Sequence, residues 1–172
     1  MTDAIPFWFH LLAVTVWVGP QVFLLTAALP AVRLIDDAQL RLRVTRVLTR
    51  RFGWLALAAM LVIVLSGISN VYDRMLDDDL DIFNLDLRYA WIFVTKMSLV
   101  GLAVALTALH SLVVGPRLLR LQEQAAASND QRQVAAFRRA SILISSLGLL
   151  ATLGALFAAA LLADHRFAFQ PV

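Results

Sequence analysis

Long apolar runs separated by short polar segments set the pattern of this chain. Four runs, at about 5–29, 52–71, 90–114 and 141–162, reach or approach the ~20 residues that a helix needs to cross ~30 Å of hydrocarbon. None alternates with the two-residue period of an outer-membrane barrel strand. The pattern predicts an all-α integral membrane protein, a single four-transmembrane-helix bundle over residues 1–172. The four spans do not divide into two similar halves with broken helices, so the plan of an inverted-repeat transporter is not visible. In the last span Ser141, Ser145, Gly148, Thr152, Ala155 and Ala159 recur every three or four residues. That face carries little side-chain bulk, and another helix is expected to pack closely on it.

Composition strengthens this picture. Of 172 residues, 60% are hydrophobic and the mean hydropathy is +0.77, beyond the range of an ordinary soluble domain. Cysteine is absent, which removes disulfides and thiolate metal sites. The first span has no basic residues before it and exceeds the length of a signal h-region, so it is read as a span rather than a cleaved leader.

Charge predicts orientation. "PAVRLIDDAQLRLRVTRVLTRR" carries six Arg against two Asp, and "PRLLRLQEQAAASNDQRQVAAFRR" five Arg against one Glu and one Asp. "NVYDRMLDDDLDIFNLDLRY" carries six Asp against two Arg. Cytoplasmic loops collect arginine and lysine, so the first two segments are expected inside and both termini outside. The arginines flank membrane spans in two blocks and do not make a nucleic-acid surface; their expected partner is the lipid bilayer. Helix is expected to extend past the lipid into both basic loops, over 116–127 and from a cap at Asn129 or Asp130. In the acidic loop, Asp77, Asp79 and Asp81 have the D-x-D-x-D spacing of a calcium loop, but Ile82 and Arg88 stand where that motif needs Gly and Glu.

Counting depth at ~1.5 Å per residue places His10 about five residues into the first span and Lys96 about six into the third, from the same side. Lys96 is the only lysine in the chain. It either snorkels to the interface or faces the interior, since an ammonium in hydrocarbon costs at least ~2.5 kcal/mol on insertion scales. His10 is either a neutral core imidazole or a ligand. If both face one cleft, Lys96 is expected to meet a negatively polarised partner, a carbonyl, hydroxyl or ligand acid group, rather than to bind a metal directly. His110 lies ~21 Å further along the third span, and His165 follows the fourth span at the outer surface.

Three stretches, "FHLLAVTVWVGPQVF", "RRFGWLALAAMLVIVLSGISNVY" and "YAWIFVTKMSLVGLAVALTALHSLVVGPRL", together resemble the copper resistance D (CopD) domain family of bacterial inner-membrane proteins. His10, Trp17 and Gly19 follow its H-L-L-x(4)-W-x-G arrangement; Arg51, Phe52, Leu55, Gly67 and Asn70 its R-F-x(2)-L opening and late T/S-G. Tyr89, Lys96, Pro116 and Arg117 follow its Y-x(6)-K and closing P-R-L. The likeness covers about residues 5–120, and the fourth span shares only the family's character. It implies a four-helix domain in the bacterial cytoplasmic membrane, with His10 and Lys96 as family-type positions. A more distant likeness to the HemJ family implies haem b, with His10, Lys96, His110 and His165 as candidate cofactor residues.

Three functions follow. A CopD-like role in copper homeostasis or copper transport across the cytoplasmic membrane makes His10 and Met97 the candidate metal ligands and a periplasmic copper protein a candidate partner. Copper(I) favours thiolate, thioether and imidazole donors, of which this chain has no Cys, four Met and three His. A haem-binding redox protein would use imidazole as axial ligand and a cation to meet propionates. An accessory subunit would pack on a larger respiratory or photosynthetic membrane complex.

Overall fold

The structure, a computed structural model, describes residues 4–77, 85–128 and 132–172. Side chains of 73–77, 125–128, 132 and 165 are not among those described, so the Asp77, Asp79 and Asp81 spacing and the cap at Asn129 or Asp130 lie outside the described residues. Among the described residues 92% are helical and none lies in a strand, and four helices are long and apolar enough to cross a membrane. They contain the four runs read from sequence and continue beyond them.

The first membrane helix is α1 (Ala4–Phe23), which passes through a π-helical turn at Leu24–Ala28 into α2 (Leu29–Arg33). The second is α3 (Ala38–Asp77). The third is α4 (Arg88–Leu109), which passes through a π-helical turn at His110–Val114 into α5 (Gly115–Ser128). The fourth is α6 (Arg132–Ala163), followed by the short α7 (His165–Ala168). Helix therefore extends into both arginine-rich segments, as their sequence predicted.

Asp37 starts α3. Its Oδ1 accepts from the Gln39 amide at 2.8 Å and the Leu40 amide at 3.2 Å, satisfying donors that a helix start leaves open. These amides, Leu40 first, hold the Asp37 carboxyl below its ordinary range.

The two π turns share one cause. Each is followed by a proline, Pro30 and Pro116, which has no N–H and whose ring crowds the carbonyl four residues back. The residue before each proline then bonds five residues back, Leu29 to the Leu24 carbonyl and Gly115 to the His110 carbonyl. Both turns lie toward the arginine-rich end of the bundle.

Packing is uneven. α1 pairs with α3 and α4 with α6 over long contacts, while contacts between the two pairs are sparse. The small face of α6 meets α4 at Gly148, where a Cβ would lie 3.8 Å from Leu106 Cβ; Gly154, which is not on that stripe, also packs on α4, a Cβ there lying 3.1 Å from Leu99 Cδ1. At mid-height one alanine from each helix, Ala13, Ala59, Ala103 and Ala151, joins Trp17, Met60 and Ile63 in a buried layer. At the aspartate-rich end a second cluster forms around Tyr89, Leu162 and Ala168, where the Arg88 amide donates to the Gln170 carbonyl at 3.1 Å. Large apolar side chains such as Trp54, Leu61, Ile68, Leu150 and Phe157 remain exposed, the surface that lipid would cover.

Candidate functional site

Two polar stations lie on opposite sides of the alanine layer. The first, toward the aspartate-rich end, is built on His10. Its Nδ1 lies 2.9 Å from Ser66 Oγ on α3. The Ser66 hydroxyl lies 2.5 Å from the Val62 carbonyl and 3.3 Å from that of Ile63, so its one proton is committed to its own helix. Ser66 Oγ must then accept, His10 Nδ1 must carry the proton, and Nε2 keeps its lone pair. Gly67 packs beside it; a Cβ there would stand 3.5 Å from His10 Cε1, an ordinary contact.

Lys96 is half-buried on α4 and within electrostatic reach of the His10 ring, as the equal-depth count predicted. Met97, next along α4, is 47% exposed. Met60 is buried in the alanine layer, six residues and ~9 Å from Ser66 along α3. Among the described residues no group of three His, Cys, Asp or Glu is arranged to hold a metal ion.

The second station is a cleft of about 1200 Å³ between the two helix pairs, at the arginine-rich end. His110 lines it from the first residue of its π turn, with Nδ1 3.4 Å from Ser145 Oγ. Gly115 closes that turn, where a Cβ would come 3.1 Å from the His110 carbonyl. Trp17 lines the cleft where it meets the alanine layer. The structure does not bring His110 to His10, since fourteen residues of α4, ~21 Å, separate it from the level of Lys96. His165 opens α7, and its side chain is outside those described.

Ser66 was not identified from sequence as a partner of His10, although the T/S-G pair that contains it was noticed. The cleft was also missed; its signal is the pair of prolines, Pro30 and Pro116, that end two apolar helical runs.

The model of one family, copper resistance protein D, matches residues 46–166, more than half of the chain. The chain belongs to the copper resistance protein D family. The match runs through α6, which by sequence shared only the family's character, and takes in Ser66, Gly67, Lys96 and His110. It starts after α1, so His10 stands outside the matched residues. Searches of curated proteins and of solved structures found no match. Family and structure together make this a CopD-like, multi-pass membrane protein.

Proposed function

We propose that the protein serves copper homeostasis in the bacterial cytoplasmic membrane, receiving copper as transient cargo at His10. The observation that carries this reading is the Ser66 contact, which leaves the His10 Nε2 lone pair available as a donor. Imidazole suits copper, and membership of a family described as copper resistance protein D supports that choice of metal. The donor set fits brief contact better than storage, because it offers one imidazole, no thiolate and a nearby ammonium. A site that passes its ion on must bind weakly enough to release it.

Lys96 supplies part of that weakness. Two unit charges ~8 Å apart repel by about 2 kcal/mol at an effective dielectric constant of ~20, or roughly 30-fold in affinity. Copper(I) titration of the detergent-purified protein should therefore show one weak site that His10→Ala abolishes and Lys96→Leu, which removes the charge without adding a copper donor, tightens by about 10- to 30-fold. Copper binding that survives His10→Ala, or is unmoved by Lys96→Leu, overturns the assignment. A Soret band in the purified protein would assign the site to haem instead.

A further inference from the structure

The cleft at the arginine-rich end takes no part in the copper reading, and its lining has the wrong sign for a metal cation. Arg33, Arg41, Arg46, Arg50 and Arg138 line it, and no described acidic residue does. Arg46 is paired with Glu123, and Arg41 donates to the Ile35 carbonyl at 3.0 Å. Arg33, Arg50 and Arg138 make no hydrogen bond or ion pair among the described residues. Their guanidinium groups form a positive collar around an apolar trough.

Trp17, only 4% exposed, lines the inner end of that trough. Arg50 stands six residues, ~9 Å, along α3 from Ala56, which packs on the cluster that holds Trp17. A molecule whose anionic group meets Arg50 therefore lays its apolar part toward Trp17.

The volume, about 1200 Å³, exceeds the ~300–1,000 Å³ usual for small-ligand pockets. A basic pocket between membrane helices at the level of the headgroups is a recognised form of anionic-lipid site. We propose that this cleft holds one anionic phospholipid, with its headgroup phosphate among Arg33, Arg50 and Arg138 and its acyl chains along the apolar walls, to which Trp17 contributes. The proposal does not rest on copper binding at His10.

The test uses the full chain with Trp17 as its only tryptophan. Trp8, Trp54 and Trp91 are 57%, 69% and 54% exposed, so Trp8→Phe, Trp54→Phe and Trp91→Phe remove the other fluorophores with little packing loss. The protein is placed in phosphatidylcholine vesicles and titrated with chain-brominated phosphatidylglycerol or chain-brominated phosphatidylcholine, whose bromines quench a nearby indole. Trp17 should be quenched saturably by the anionic lipid, with at least a 10-fold preference over the zwitterionic one. Arg50→Gln with Arg138→Gln should reduce that preference to about 2-fold or less, while Arg50→Lys with Arg138→Lys, which keeps the charge, should retain most of it. Soluble glycerol phosphate should not reverse the quenching. Equal quenching by the two lipids, a preference that survives Arg→Gln, or displacement by glycerol phosphate, which would mark a free-phosphate site, each overturns the proposal.

Discussion

Ser66→Ala tests the link from a helix-bound hydroxyl to the chemistry of His10. In the native arrangement His10 Nδ1–H donates to Ser66 Oγ across 2.9 Å, and Ser66 is itself buried. Alanine removes the one acceptor that the ring has among the described residues and leaves the imidazole otherwise in place. A neutral hydrogen bond contributes about 0.5–1.5 kcal/mol net, and changing the group that orients a metal-binding histidine typically costs 10- to 100-fold in affinity. Because the hydrogen bond is neutral and the imidazole itself stays, the expected loss is about 1 kcal/mol, or ~5-fold in copper(I) affinity. Folding should change little, because the Val62 carbonyl keeps its place in the helix ladder. Competition with a chromophoric copper(I) chelator measures the affinity, and nitrogen-15 NMR of labelled histidine reads the tautomer directly. Ser66→Thr retains a hydroxyl able to bond back to Val62 and should behave like the native protein. Native-like affinity in Ser66→Ala, or an Nε2–H tautomer at His10 in the native protein, would refute the reasoning.

Orientation and packing yield two more predictions. If the arginine-rich end faces the cytoplasm, Arg43→Cys should resist an impermeant thiol reagent in intact cells while Leu85→Cys reacts; the reverse labelling would invert every assignment of side. Ala103 is 0% exposed in the central layer, so Ala103→Leu should destabilise the bundle by about 1–3 kcal/mol, read as a lower melting temperature in detergent. Ala105→Leu, on the exposed face of α4, is its control and should be near neutral.

The features legible in sequence were those that a single helix carries by itself. Apolar run length marked the four spans, arginine-rich polar segments marked their extensions, and the Ser141 to Ala159 spacing marked the face of α6 that meets α4. Counting depth also brought His10 and Lys96 to one level, because rise per residue holds on any straight helix. What depends on rotation between helices was hidden. The T/S-G pair marks Ser66 and not Ser69, but it does not say that this hydroxyl meets His10; that pairing is made by how α1 and α3 turn toward each other. The cleft needed a further fact, that the helices pair as α1 with α3 and α4 with α6 and leave a seam between pairs.

That seam bears on whether copper crosses the bundle. A cation leaving His10 toward the other end would first meet the alanine layer, where Ala13, Ala59, Ala103 and Ala151 bring the helices close and Trp17, Met60 and Ile63 are buried between them. Beyond it lie Arg33, Arg50 and Arg138, whose side chains have no ion-pair partner among the described residues. At ~10 Å and an effective dielectric constant of ~20, each guanidinium repels a single positive charge by about 1.7 kcal/mol, so three together oppose its entry by roughly 5 kcal/mol. An anionic headgroup in the cleft would offset part of that, but it would also fill the route. The arrangement favours receipt and return of copper at the aspartate-rich end over passage through the bundle. In vesicles with that end facing out, added copper should bind to the protein at equilibrium while the lumen gains no more copper than protein-free vesicles do. Lumenal accumulation that depends on His10 would show that the layer opens and that the arginine collar does not bar the ion.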